Sequence, residues 1–195
     1  PEAVEAVRQE LAMDGTTAMV NVSRLFHRKG HKYLFDAIAG LLNDGMNAKL
    51  YLVGDGDHRK VLEQMCSVLG IAERVRFLGW RDDALTVVAA SDIVVHPSLE
   101  DALSSAVIEA VMLEKPVVAT DISGVRDILG NGKFGRIVPP EDSNSIQVAL
   151  EEVFADIDTA TLLASRGRQY LLEYMDAGRV AEEHSSIYQS LSGNG

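Results

Sequence analysis

A helix pattern and a strand pattern follow one another in the stretch His96–Thr120, HPSLEDALSSAVIEAVMLEKPVVAT. Its middle part, AVIEAVML, is apolar on nearly every side, which predicts a buried helix over Ser104–Leu113 with Ser104 or Ser105 as the N-cap. Pro116 ends that helix, and the run PVVAT favours a β-strand over Pro116–Thr120. A buried helix that leads into a buried strand is typical of a βαβ unit in a parallel sheet.

The same alternation of short apolar runs and helical patterns extends over the rest of the chain. The other predicted strands are Ala18–Ser23, Lys49–Val53, Val75–Leu78, Asp92–His96 and Arg136–Val138. The other predicted helices are Pro1–Met13, Gly30–Asn43, His58–Leu69, Asp83–Ala90, Val125–Leu129, Ser143–Phe154, Thr159–Met175 and Gly178–Leu191. The sequence therefore predicts one α/β domain over residues 1–195, a doubly wound, Rossmann-like parallel sheet, with a helical tail from about residue 143 that packs on its outside.

Composition excludes several classes of protein. The chain has 195 residues, 47% of them hydrophobic, and a net charge of -11. Phosphate backbones repel such a surface, so neither nucleic acid nor an anionic membrane is an expected partner. No apolar run approaches the ~20 residues that span a bilayer. The single cysteine, Cys66, cannot form an internal disulfide, which favours a reducing, cytoplasmic location. The start at Pro1 suggests a piece of a longer protein.

Small and charged residues follow the predicted strands at the point where each strand ends. They are Arg24, Gly54-Asp55-Gly56, Gly79, His96-Pro97-Ser98 and Thr120-Asp121. The carboxyl ends of parallel strands share one edge of the sheet, and open α/β sheets bind their ligands there. The sequence therefore predicts a binding site at this edge.

The basic stretch SRLFHRKG lies between the first strand and the next helix in an otherwise acidic protein. Its cations Arg24, Arg28 and Lys29 suit a diphosphate bound near a helix start, but a solvated basic loop fits equally well. His27 and His31 are four residues apart and could face the same way. No third ligand accompanies them, so a metal site is not predicted.

The stretch VGDGDHRKVLEQM predicts a strand, a turn at Gly54-Asp55-Gly56 and a helix. The turn could cradle a phosphate, but a plain tight turn is the simpler interpretation. The third glycine of the dinucleotide fingerprint and the lysine of a P-loop are both missing. A dinucleotide-dependent dehydrogenase is therefore a poor candidate.

Two carboxylates, Asp101 and Glu109, need partners. Glu109 is predicted on the apolar helix, where a lone buried carboxylate is costly unless it accepts hydrogen bonds. The hydroxyls of a ribose could donate them, and so could nearby backbone N–H groups. Asp101 could instead have a purely structural role, because Ser98-Leu99-Glu100-Asp101 has the pattern of a capping box around a short turn.

These pieces together resemble the C-terminal domain of retaining group 1 glycosyltransferases that have two Rossmann-like domains (the GT-B type), similar to glycogen synthase, sucrose synthase and bacterial mannosyltransferases. The resemblance runs from about Thr17 to about Glu152. It is carried by Arg24-Leu25 with Lys29-Gly30, Gly54-Asp55-Gly56, Phe77-Leu78-Gly79, Pro97-Ser98, Glu109-Ala110 and Pro116-Val117-Val118-Ala119-Thr120, in this order and spacing.

The resemblance implies a donor-binding domain whose substrate is a nucleotide-diphosphate sugar, with no cofactor and no metal. Glu109 would bind the ribose, Asp101 would lie near the sugar, and Arg24 and Lys29 would hold the diphosphate. Gly54, Gly56, Gly79, Ser104 and Ser105 would complete the donor site. The acceptor, a glycan, lipid or small molecule, would bind an N-terminal domain that is absent here, and only the full-length enzyme would have any peripheral membrane contact.

The chain departs from the family pattern around the sugar. Asp101 is one methylene shorter than the usual glutamate, and Ala102-Leu103-Ser104 replaces Gly-Phe-Gly. Asp127 likewise stands where a longer acid is expected. The nucleotide half of the site therefore matches the family while the sugar half is altered. A nucleotide-binding or interaction module without catalysis is the alternative that this leaves open.

Overall fold

One parallel sheet forms the centre of the protein in a computed structural model, which describes the backbone of residues 1–192 and most side chains. Within these residues the sheet has six strands in the order β3-β2-β1-β4-β5-β6. They are β1 Thr17–Val22, β2 Ala48–Val53, β3 Val75–Gly79, β4 Ile93–His96, β5 Val117–Thr120 and β6 Arg136–Val138. All five strand pairs are parallel, which confirms the predicted doubly wound α/β fold.

Helices cover both faces of this sheet. The α-helices are α1 Glu2–Glu10, α2 His31–Asn43, α3 Arg59–Val68, α4 Ala84–Ala90, α5 Ser105–Met112, α6 Val125–Ile128, α7 Ser143–Ala155, α8 Ile157–Tyr174 and α9 Ala177–Ser192. Two short 3-10 helices, His27–Lys29 and Ala72–Arg74, precede α2 and β3. Among the described residues, no helix is both long and apolar enough to cross a bilayer.

The hydrophobic core has two layers because the central strands are buried on both faces. Met19, Leu50 and Leu52 point to one face, where they pack with apolar residues of α2, α3 and α7. Val20 and Tyr51 point to the other face and pack with α1, α4, α5, α6 and α8. The tail helices thus lie outside the sheet, with α7 against α2 and α8 against α5.

Most element boundaries match the predictions within two residues. The largest difference is α1, which was predicted to reach Met13 and ends at Glu10. The chain turns at Ala12, whose φ of 52° is left-handed, and the Met13 N–H returns to the Arg8 carbonyl. Met13 is nevertheless fully buried, so the apolar pattern reflects core packing rather than helix.

The order of the strands reverses between β1 and β4, which are neighbours in the sheet. The chain leaves β1 toward α2 on one face and leaves β4 toward α5 on the other. The two connecting loops therefore part at the carboxyl edge and leave a crevice between them. This crevice lies where the sequence predicted a binding site.

Candidate functional site

A cleft of about 720 Å³ opens at the carboxyl edge of the sheet between the loops that follow β1 and β4. Of the sequence-predicted site residues, it is lined by Arg24, Lys29, Gly54, Asp101, Ser105 and Glu109. The predicted cations and carboxylates thus come together from three segments of the chain, the loops after β1 and β4 and the helix α5. Gly56, Gly79 and Ser104 were predicted in the same site but do not line the cleft.

Three buried polar atoms near this edge have no hydrogen-bond partner within the part of the chain that the structure describes. They are His31 Nδ1, His96 Nε2 and Ser104 Oγ. Buried polar atoms are nearly always satisfied in folded proteins, so water or a ligand is the expected partner of these three. All three belong to segments that flank the point where the strand order reverses.

The basic loop after β1 is fixed against the loop after β4. It ends in the 3-10 helix His27–Lys29 and the left-handed Gly30, whose φ is 68°. A Cβ at Gly30 would lie 1.9 Å from the Pro97 carbonyl oxygen, so only glycine fits there. The Leu99 N–H also donates to the Arg28 carbonyl oxygen over 2.8 Å. The two cleft walls are therefore held together by backbone contacts.

Arg24 lies at the mouth of the cleft and is exposed. Its guanidinium lies 5.8 Å from the centroid of the Phe26 ring and makes no ion pair with any described carboxylate. Arg28 differs, because it lies 3.4 Å from the Glu100 carboxylate. Arg24 is thus a cation available to an anionic ligand.

Lys29 and Asp101 form an ion pair inside the cleft, with 2.8 Å between Nζ and Oδ2. Both are largely shielded, with side chains 14% and 21% exposed. His96 Nε2 lies 3.3 Å from the same Asp101 oxygen but is not aligned for a hydrogen bond. The His96 ring and the Lys29 ammonium together lower the pKa of Asp101 to about 2.

The capping-box alternative for Asp101 is wrong. Residues 98–101 form no helical turn, and the Ser98 hydroxyl donates to the Glu100 carbonyl oxygen over 2.9 Å.

The predicted cap of α5 is also wrong. Ser104 occupies the N-cap position, but its side chain accepts no helix N–H and is completely buried. Ser105, one residue later, is exposed and lines the cleft.

Glu109 lies on the side of α5 that faces the cleft. Its side chain makes no hydrogen bond and no ion pair with the described residues, which contradicts the alternative that it accepts from local backbone N–H groups. The opposite side of α5 carries Val107, Ala110 and Val111, which are all buried. The helix therefore presents a free carboxylate to the cleft on the same side as Ser105 and Ala106.

The Gly54-Asp55-Gly56 turn packs tightly against the basic loop. Gly54 has a φ of 129°, and a Cβ there would lie 2.1 Å from the Ser23 carbonyl oxygen. A Cβ at Gly56 would lie 2.6 Å from the Leu25 carbonyl oxygen. Gly79 accepts from the Gly54 N–H over 2.8 Å. These glycines let the loops after β1, β2 and β3 approach one another, so Gly56 and Gly79 support the site without lining it.

His27 and His31 do not face the same way. His27 is exposed, and its ring packs edge-on against His58 at a centroid distance of 6.0 Å. His31 is buried with Nε2 3.1 Å from the Ser23 hydroxyl, and burial lowers the pKa of its ring to about 4. Among the described residues no group of three or more His, Cys, Asp or Glu side chains could hold a metal ion.

Sequence reasoning named Leu103 near the sugar but missed Trp80 and Leu85 in the apolar part of the cleft. Trp80, Leu85 and Leu103 line it with side chains that are 79%, 52% and 61% exposed. Trp80 directly follows Gly79, so its position after a strand was a signal that could have found it. Asp127, which stands where the family has a longer acid, lies exposed on α6 and does not line the cleft.

Comparison with known proteins gives one consistent family. The model of the family "Glycosyl transferases group 1" matches residues 4–170. The lipopolysaccharide core biosynthesis glycosyltransferase LpsE of Rhizobium meliloti is 30% identical over 188 residues, which are 96% of this chain and 54% of LpsE. The phosphatidyl-myo-inositol mannosyltransferase of Mycobacterium leprae is 29% identical over 171 residues, 86% of this chain and 45% of that protein.

Solved structures agree with the sequence comparison. The crystal structure of Anabaena Alr3699/HepE in complex with UDP superposes with a TM-score of 0.86 at 27% identity. The match covers 97% of this chain and 53% of HepE. The chain thus spans about half the length of the relatives and structures it matches.

Proposed function

Because the chain belongs to the group 1 glycosyl transferase family, as its motifs predicted, we propose that it is the donor-binding domain of a retaining, hexosyltransferase-type enzyme. The observation that carries this proposal is the convergence in one cleft of a free cation, Arg24, a shielded lysine, Lys29, and an unpaired carboxylate, Glu109. A nucleotide-diphosphate sugar offers a chemical partner to each of them.

The diphosphate is proposed to bind between Arg24 and Lys29. Both side chains come from the loop after β1, which backbone contacts hold in place. When the bond to the sugar breaks, negative charge grows on the departing diphosphate. Preorganised cations stabilise such charge most effectively in a partly shielded site, which describes Lys29. This charge compensation needs no divalent ion.

The ribose is proposed to bind Glu109. A carboxylate offers two accepting oxygens, which suits two neighbouring hydroxyls. Glu109 has no other partner among the described residues, so binding the ribose would displace no existing hydrogen bond. HepE, whose structure contains UDP, supports the choice of UDP as the first nucleotide to test.

The sugar itself is proposed to lie near Asp101, Leu103 and Ser105. The acceptor hydroxyl would attack from the face that the diphosphate leaves, in a dissociative step that retains the anomeric configuration. The relatives are about twice as long as this chain, which supports a second domain as the binding site of the acceptor. The chain alone is therefore expected to bind donor but to transfer little or no sugar, since positioning of the acceptor supplies much of the rate.

Calorimetric titration with UDP, GDP and ADP, with NAD as a dinucleotide control, tests the proposal. We expect one of the nucleoside diphosphates to bind and NAD to bind far more weakly. Binding of none of the three diphosphates, or tighter binding of NAD, would overturn the assignment. Robust sugar transfer by the chain alone would show that one domain suffices.

A nucleotide-binding module without catalysis remains the second candidate. It is favoured by one observation, the exposed Ala102 and Leu103 where the family has glycine and phenylalanine. Side chains there stand between the backbone and the sugar. Transfer or hydrolysis of a nucleotide sugar by the protein joined to an acceptor domain would exclude this candidate. Tight nucleotide binding without either reaction would support it.

A further inference from the structure

His96 is a buried histidine that the proposed transfer chemistry does not use. Its side chain is 3% exposed and lines the cleft at the end of β4. Its Nε2 lies 3.3 Å from Asp101 Oδ2 and has no hydrogen-bond partner within the described residues. Because this ring nitrogen is within hydrogen-bonding distance of the carboxylate but is not aligned with it, a small adjustment of the carboxylate would complete a hydrogen bond.

Asp101 has two close partners in the cleft. The Lys29 ammonium donates to Oδ2 over 2.8 Å, and His96 Nε2 lies farther from the same oxygen, at 3.3 Å. The proposed diphosphate would use the same ammonium. Once it binds, two anions share one lysine, and the like charges of Asp101 and the diphosphate repel one another in a partly shielded site.

We infer that His96 is a positioning residue for Asp101: when a diphosphate draws Lys29 away, the His96 ring takes up one proton from solvent and donates its Nε2–H to the Asp101 carboxylate. The added proton compensates the charge of the ligand. The hydrogen bond keeps Asp101 directed toward the sugar after its ion pair is weakened. This inference rests on the proposed function, because it needs a diphosphate near Lys29.

Among the described residues, no other group near His96 is as well placed to take up this proton. The charged side chains that line the cleft with it are Arg24, Arg28, Lys29, Asp55, Arg81, Asp82, Asp101 and Glu109. His31 interacts with it electrostatically, and Asp55 and Asp82 are exposed. Lysine and arginine are already charged, and His31 is buried against Ser23. Glu109 faces the cleft without contact to Asp101 or Lys29 among the described bonds.

Calorimetric titration of the protein with UDP, GDP and ADP in buffers of different ionisation enthalpy measures proton uptake directly. Work above pH 7 keeps the terminal phosphate of each ligand fully ionised. For the nucleotide that binds, we expect proton uptake and an affinity that falls with rising pH by up to about tenfold for each pH unit. Binding without proton uptake would overturn the inference and leave the proposed function standing, whereas absence of binding would overturn both.

The variant His96→Gln distinguishes a positioning role of His96 from a role in packing alone. Glutamine keeps an amide donor near the Nε2 position but cannot take up a proton, so the variant should bind with no proton uptake and a flat pH profile. A uniform loss of affinity at every pH, with proton uptake retained, would contradict the inference. His27→Gln is the matched control, because His27 is exposed and outside the cleft, and it should keep the wild-type proton uptake.

Nuclear magnetic resonance provides a test that needs no folded His96 variant. The chain has five histidines, whose ring signals can be followed against pH in the free and UDP-saturated protein and assigned from the other single His→Gln variants. The inference predicts that the His96 ring signal changes at a higher pH in the UDP-saturated protein than in the free protein. Identical midpoints in the two states would contradict it.

Discussion

Gly30 and Pro97 touch across the cleft, and a Cβ at position 30 would come within 1.9 Å of the Pro97 carbonyl oxygen. This contact joins the basic loop to the loop that carries Asp101. It explains why the ion pair of Lys29 with Asp101 is formed although the two residues are 72 positions apart. The geometry of the site therefore depends on one glycine that touches no expected ligand.

Gly30→Ala should destabilise the fold. The residue has a φ of 68° and no room for a Cβ. Backbone strain and steric conflict in the variant should therefore lower the free energy of unfolding by more than about 2 kcal/mol. Chemical denaturation measures the loss. Gly15→Ala is the matched control, because Gly15 has a φ of 74° but nothing within 4 Å, and it should cost only about 1 kcal/mol. Equal losses in the two variants would show that the contact with Pro97 does not matter.

Arg24→Ala and Lys29→Ala should each weaken nucleoside diphosphate binding by about 1.5–3 kcal/mol, because each removes a charge-assisted contact. Calorimetry measures the affinity, and circular dichroism checks that the fold is intact. Lys60→Ala removes one exposed cation outside the cleft and should leave the affinity unchanged. If both cleft variants bind like the wild type, the diphosphate binds elsewhere.

Asp101→Asn should alter the acid stability of the protein. The folded pKa of Asp101 is depressed to about 2 from 3.8, so the ionised form contributes stability above pH ~4 that is lost as the pH falls toward 2, on the order of 1–2 kcal/mol in total. Denaturation curves between pH 5 and 2 should therefore show a smaller loss of stability for the variant than for the wild type.

Asp57→Asn provides the comparison for that experiment. Asp57 is exposed and makes no ion pair with the described residues, so its variant should follow the wild-type curve. A wild-type curve parallel to that of Asp101→Asn over the whole range would mean that Lys29 and His96 do not stabilise the Asp101 carboxylate.

Glu109→Gln should cost about 1–3 kcal/mol of nucleotide affinity, because an amide has one accepting oxygen and cannot accept from two ribose hydroxyls equally well. The loss should shrink for pyrophosphate, which has no ribose. Wild type and variant are each titrated with a nucleoside diphosphate and with pyrophosphate. Equal losses for the two ligands would mean general damage to the site and would remove the ribose role.

The sequence predicted the fold well because the apolar runs of the strands are unambiguous. LYLV and the IVV of DIVV lie in strands buried on both faces, and the residues after these strands lie at one edge of the sheet. Their positions follow from the topology alone, since parallel strands end together. The order of strands and helices along the chain is therefore enough to place Arg24, Lys29 and Glu109 near one cleft.

The partners of these residues were less predictable. Lys29 and His96 both contact Asp101, and no local sequence pattern predicts that the loops after β1 and β4 bring these residues together. Ser104 has the right residue type for a cap, but its side chain is buried and makes no capping bond. The residue type shows which hydrogen bonds a side chain could make, whereas tertiary packing determines which of them form.

A crystal structure of the chain with its tightest-binding nucleotide would show directly whether this cleft binds a nucleoside diphosphate. We expect the diphosphate in contact with Arg24 and Lys29, with both ribose hydroxyls on the Glu109 carboxylate. A nucleotide bound elsewhere, such as the smaller crevice beside Pro116 and Phe134, or a ribose turned away from Glu109, would contradict the proposed function of the cleft.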